Sequence, residues 1–130
     1  MSTLEILDDI TKKIITQNAV VSAAIKAASD NQASILEFQR QINYHNSMGN
    51  TQDAENVAVR LTDAYSKQGP LDVAVSTAKS YLDNLNNDLQ ATKQQLTPEE
   101  KLVAVNNSTI ALNQSNQQLL ATQAEVDKKT

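Results

Sequence analysis

Residues 7–42 read LDDITKKIITQNAVVSAAIKAASDNQASILEFQRQI, and apolar side chains recur at every seventh position of this stretch. The repeating positions are Leu7, Ile14, Val21, Ala28, Ile35 and Ile42, and a second set three residues later comprises Ile10, Gln17, Ala24, Asn31, Phe38 and His45. Residues that are spaced alternately three and four positions apart lie on one side of an α-helix, whereas the side chains of a strand alternate between its two faces. The stretch therefore predicts one long helix over residues 3–46 with a coiled-coil seam.

Glycine and proline positions divide the following part of the chain. Gly49 suits the left-handed residue that ends a helix, which predicts a turn around it. Apolar side chains then recur at helical spacing over residues 51–68 and 70–96. Gly69 and Pro70 predict a stop or a kink between these two segments, because proline lacks the N–H that a helix interior uses.

A capping motif predicts the start of the last helix. Thr97 precedes Pro98, and Glu100 stands three residues after Thr97, which is the spacing of a capping box. We expect this helix over residues 98–127. Its main apolar stripe includes Leu112, Leu119 and Val126, and a thinner second stripe includes Val103 and Ile110.

The lengths of these segments suggest how they pack. Residues 3–46 and 51–96 are similar in length, so the second arm can return along the whole first helix. The sequence therefore predicts an all-α fold, namely an elongated antiparallel helical bundle with coiled-coil heptad seams and three to four helices in a single domain over residues 1–130. The alternative is a compact four-helix bundle, which requires a full reversal at Gly69-Pro70.

The composition argues against most kinds of chemistry. The chain has 130 residues, a net charge of −4, no cysteine and one histidine. Without cysteine there is no disulfide, thiolate metal site or thiol nucleophile. No di-iron Glu-x-x-His motif or phosphate-binding glycine loop occurs either. We expect no enzyme activity, no catalytic, cofactor-binding or metal site, no cofactor and no small-molecule substrate.

Charge and hydropathy also bear on partners and location. Basic residues are scattered, so we expect no nucleic-acid binding. The most apolar stretch, residues 19–28, is shorter than the roughly 20 residues that span a bilayer, so we expect no membrane span. Residues 1–10 lack the features of a signal peptide. The expected location is therefore cytoplasmic or virion, with export by a non-classical route as the alternative.

His45 and the two acidic doublets have structural interpretations that we favour, while the seam amides have two interpretations that stay open. His45 lies next to the turn, where a histidine meets backbone carbonyls and solvent. The doublets Asp8-Asp9 and Glu99-Glu100 lie near helix starts, where the helix dipole favours negative charge. Gln17 and Asn31 interrupt the seam. They either fix register or oligomeric state at a cost in stability, or face solvent because the neighbouring helix has ended.

The core is expected to be thin, because only 3% of residues are aromatic. Self-association or a larger protein assembly would supply additional burial. The residues expected to make these helix contacts are apolar and lie in the first seam or in the second stripe of the last helix: Leu7, Ile10, Ile14, Val21, Ile35, Phe38, Ile42, Val103 and Ile110.

These observations favour a non-enzymatic structural or assembly protein that acts through helix–helix contacts. A cysteine-free, amide-rich helical chain suits a particle built from repeated subunits, so a phage or viral particle component is the leading expectation. The alternatives are a secreted helical effector or export substrate, and a small helical inhibitor or adaptor that binds one host protein.

Overall fold

The computed structural model describes residues 2–104 and 107–129, with the side chains of residues 107 and 108 left aside. Helix accounts for 94% of the structure, and the described residues contain no strand. The helices are α1 (Thr3–Ser47), α2 (Thr51–Gln94), α3 (Pro98–Ala104) and α4 (Asn107–Lys129). The prediction of an all-α bundle is confirmed. Positions 105 and 106 of the predicted last helix lie outside the described residues.

The first two helices form a long antiparallel hairpin. Gln17 Nε2 of α1 donates to the carbonyl oxygen of Ala78 at 3.0 Å, and Asn31 Nδ2 donates to that of Ala64 at 2.9 Å. As the residue number rises along α1, the number of the bonded residue on α2 falls, so the two helices are antiparallel. With 45 residues, α1 is about 68 Å long at the usual helical rise. This elongated arrangement replaces the compact four-helix alternative.

The predicted stop at Gly69-Pro70 is wrong, whereas a kink within α2 stays a prediction. Residues 51–68 and 70–96 were expected as two helices, but α2 runs without interruption from Thr51 to Gln94 and contains Pro70. The carbonyl of Ser66 loses its usual helical donor at this proline. Buried residues of α2 lie on both sides of the proline, at Ala64 and Ala78, and both carbonyls accept bonds from α1. Packing along α1 therefore outweighs the local defect.

The turn between α1 and α2 depends on Gly49. Its φ is +76°, the left-handed conformation that the sequence predicted. The amide of Asn50 donates to the carbonyl of His45 at 2.8 Å, which satisfies one of the free carbonyls at the end of α1. Glycine is needed here for its backbone conformation, because a Cβ at this position would meet nothing within 4 Å.

Alanine at the chain's two glycines should change stability in opposite directions. Gly49→Ala places a side chain at positive φ and should destabilise by about 1 kcal/mol. Gly69→Ala, made in a Pro70→Ala chain and compared with that chain, fills an open position inside α2 and should stabilise by about 0.5–1 kcal/mol, because no proline ring then opposes the new Cβ. Urea unfolding followed by circular dichroism measures both changes. Equal signs would contradict the assignment of one glycine to a strained turn and the other to a regular helix.

The last helix, α4, packs along α1 and runs parallel to it. Asn18 of α1 bonds to Ser115 and Asn116, and further along the same groove Ile25 lies beside Val126. The connection begins with the predicted capping box, in which Thr97 Oγ1 accepts from the Glu100 amide at 3.2 Å. The fold is thus a hairpin with a third helix packed on one half of it.

The hydrophobic core is concentrated in the half of the hairpin that α4 covers. Its buried members come from the first half of α1, the second half of α2, the connection after α2 and one position of α4: Leu7, Ile14, Val21, Ile25, Ala78, Leu82, Leu85, Leu89, Leu96 and Leu112. Burial at every seventh residue of α1 agrees with the repeat in the sequence. Supercoiling of these helices as a coiled coil stays a prediction.

Candidate interaction surfaces

The predicted contact residues separate into two groups. Leu7, Ile14, Val21 and Ile35 are buried within the chain, while Ile10, Phe38 and Ile42 are half-buried along the same seam. The other helices already cover the buried side chains, so a second chain would have to contact other positions. Val103 and Ile110 are exposed. They remain open to a partner, and their role in assembly stays a prediction.

Gln17 and Asn31 bond across the hairpin instead of facing solvent. In addition to its bond to Ala64, Asn31 Nδ2 donates to Gln68 Oε1 at 2.8 Å. The interpretation that the neighbouring helix has ended at these positions is therefore wrong. Each side-chain amide bonds to α2 at a fixed position along that helix. The two residues therefore favour a single register of the hairpin.

Replacing Asn31 with leucine should raise the melting temperature. Leucine adds apolar burial at a half-buried seam position, and Gln68 retains its bond to Asp72 when Asn31 is removed. We expect a gain of about 1 kcal/mol beyond that of Asn87→Leu, an exposed control within α2 that reports helix propensity. We also expect additional species in size-exclusion chromatography, because one register-fixing amide is lost. An equal gain at both sites, with a single species, would contradict this role.

A second stripe of α1 escaped the sequence analysis. Thr11, Asn18 and Ile25 are buried at intervals of seven on the side that faces α4. Asn18 is only 2% exposed, and its Nδ2 donates to Ser115 Oγ at 3.0 Å and Asn116 Oδ1 at 2.8 Å. Two of the three members are polar, so a search for apolar periodicity misses them. The interval of seven residues, counted for polar and apolar side chains alike, was the feature of the sequence that could have identified this stripe.

Beyond α4, the described part of the chain consists of two helices side by side. We call this part the stalk: residues 30–47 of α1, the turn, and residues 51–67 of α2. Its buried apolar positions are few and mostly small, namely Ile35, Ala54, Val57 and Ala64. Large apolar side chains are instead exposed along it, at Leu36, Tyr44, Met48, Val59 and Tyr65. The stalk therefore has more large apolar side chains exposed than buried.

Charged groups on α1 form local pairs along its surface. Lys12 and Lys13 pair with Asp8 and Asp9 one turn earlier, at 2.9 and 3.1 Å, and these carboxylates raise the pKa of both lysines. The first acidic doublet thus pairs with lysines.

The Glu37 carboxyl is held in its charged form by neighbours on the same helix. It accepts hydrogen bonds from Arg40 Nε at 2.9 Å and Gln41 Nε2 at 3.1 Å, and its pKa falls to about 2. A carboxylate that remains ionised at ordinary pH and is paired with arginine forms a helix-surface ion pair.

His45 lies at the base of the turn. Its ring meets the ring of Tyr44 edge-on, with the centroids 5.6 Å apart, and its buried Nδ1 makes no hydrogen bond. Within the described residues, no three histidine or acidic side chains are grouped so that they could hold a metal ion. None of the described helices combines the length and apolar character that a membrane crossing requires.

Comparison with known proteins adds no relative, since no family model, curated protein or solved structure matches this chain. The interaction surfaces above are therefore assigned from geometry alone.

Proposed function

We propose that this chain is a non-enzymatic assembly protein that acts through helix–helix contacts with other protein subunits. The observation that supports this most directly is the stalk, a two-helix extension with exposed apolar side chains. A pair of helices buries only one stripe of each, and an isolated pair gains little stability from it. Contact with another protein would bury the remaining apolar surface.

The distribution of the core supports the same proposal. The large buried leucines lie where three helices meet, and the stalk beyond them contains mainly alanine and valine at its buried positions. Contact with another subunit would supply the apolar burial that this part of the hairpin lacks.

Mass in solution tests this proposal. Light scattering coupled to size exclusion, over a series of protein concentrations, should give a particle heavier than 14.2 kDa whose fraction rises with concentration. A monomer at every concentration would contradict self-assembly, and the small-binder alternative would then take its place. A component of a phage or viral particle is one assembly of this kind, and the particle itself stays a prediction.

A further inference from the structure

The stripe of α1 that faces α4 continues along the stalk after α4 has ended. Ile25 and Gln32 line one groove together with Val126 near the end of α4. One further heptad places Gln39 below Gln32 on the same side of α1. Leu36 lies between them on this side and is 56% exposed.

The stripe of α2 that lies beside α4 also continues along the stalk after α4 has ended. Asp72 and Val75 line the groove beside α4, and Tyr65 precedes Asp72 by one heptad. Tyr65 is 51% exposed, and its hydroxyl accepts a hydrogen bond from Gln39 across the hairpin. This bond shows that the two stripes form one surface, which we call the open face. It comprises Leu36, Gln39 and Asn43 of α1 and Ala58, Leu61 and Tyr65 of α2.

We propose that a second copy of this chain covers the open face, with the two stalks antiparallel. The stalk of the partner then occupies the same layer as α4 and extends that layer towards the turn. This inference rests on the proposed function and names the partner and the surface that it uses.

The antiparallel direction follows from the position of α4. Because α4 is packed on the same side of the hairpin as the open face, it stands above that face by about one helix diameter, or roughly 10 Å. Two parallel copies would bring their α4 helices together and hold the stalks apart. Two antiparallel copies place each α4 beyond the tip of the other stalk, so the stalks can meet.

Charge at the two ends agrees with this arrangement. The tip of the stalk, residues 41–59, contains Asp53 and Glu55 and no lysine or arginine. The last two residues of α4, which would meet this tip, are Lys128 and Lys129, and two acidic residues of the same helix precede them. In the described part of the chain, neither the two tip carboxylates nor the two lysines form an ion pair. Opposite charges on the two copies would favour the antiparallel register.

The size of the surface sets the expected strength. The 18 residues between Asp30 and Ser47 extend for roughly 27 Å, and two helices side by side are roughly 20 Å wide. Contact over this face would bury about 1,000 Å² in total, at the lower end for specific interfaces. We therefore expect a dimer that dissociates on dilution.

Single cysteines test the inference directly, because the natural chain has none. With the end of α4 against the partner's turn, Gln39 of one copy lies near Asn43 of the other. Gln39→Cys and Asn43→Cys, mixed under mild oxidation, should give a disulfide-linked dimer faster than either variant alone. Ser34→Cys is the matched control, since Ser34 is exposed on the opposite side of α1. Mixed with Asn43→Cys, it should give several-fold less dimer.

Charge reversal checks the ends of the interface. Lys128→Glu with Lys129→Glu, introduced into both cysteine variants, should slow the cross-link several-fold. Asp53→Lys with Glu55→Lys added to the same chains should restore it. Circular dichroism of each variant confirms that it keeps its helix content, so a lost cross-link reports loss of contact.

The outcomes separate this inference from the proposed function. Preferential cross-linking of residues 39 and 43 supports it. Preferential linking of each residue to the same residue of the other copy, or equal linking by the Ser34 control, overturns it, while a multimeric mass would still support the proposed function. A monomer at every concentration, with no preferred cross-link, overturns both.

Discussion

Replacing Ile14 with alanine should lower the free energy of unfolding by about 2–5 kcal/mol. Ile14 is fully buried, with 0% of its surface exposed, and belongs to the core of the three-helix half. Alanine leaves a cavity that rigid neighbouring helices close only partly. Because small domains are stable by only about 5–15 kcal/mol, this change removes a large share of the total. Urea unfolding followed by circular dichroism measures it.

Ile110→Ala is the matched control for this prediction. It deletes the same atoms from a side chain that is 56% exposed on α4, so we expect a change within about 0.5 kcal/mol. The comparison should be made at low protein concentration, where the chain is least associated. Similar losses at both positions would show that the core is not where the structure places it.

Replacing Pro70 with alanine should stabilise the chain by up to about 3 kcal/mol. The proline lies in the interior of α2, where it removes one backbone hydrogen bond, and its side chain is exposed. Alanine restores the donor for the carbonyl of Ser66 and removes no buried contact. Thermal unfolding should show a higher melting temperature, by roughly 10 °C for a domain of this size.

The other proline provides the comparison. Pro98 is the first residue of α3, where an N–H has no helical partner and the fixed φ of proline suits the helix. Pro98→Ala should therefore change stability little, or lower it by a few tenths of a kcal/mol. A decrease on Pro70→Ala would mean that the proline holds α2 in a shape that packing against α1 requires.

The sequence was sufficient for the parts of the fold that depend on periodicity and local capping. The seven-residue repeat of α1, the left-handed Gly49 and the box formed by Thr97 and Glu100 each depend on neighbours within a few residues. Local chemistry specifies such features without knowledge of the tertiary structure. For the same reason the all-α class and the antiparallel return could be predicted.

The features that were missed depend on contacts between distant segments. At Pro70 the local preference for a break is outweighed by packing along α1, and a single sequence does not show that balance. Asn18 is buried because α4 lies above it, although its residue type suggests exposure. The open face could not be predicted either, because it exists only where α4 ends relative to the hairpin.

The separation of the core from the turn has a consequence for how the chain folds. Contacts near the turn close short loops, such as the 26 residues between Gln39 and Tyr65, whereas the pairing of Asn18 with Asn116 closes 98 residues. Closing the longer loop costs only about 1 kcal/mol more free energy than closing the shorter one. One buried leucine contributes about 1.5–3 kcal/mol, so the large side chains far from the turn outweigh the shorter loops beside it. Folding is therefore expected to nucleate where the helix ends meet, with the stalk pairing afterwards.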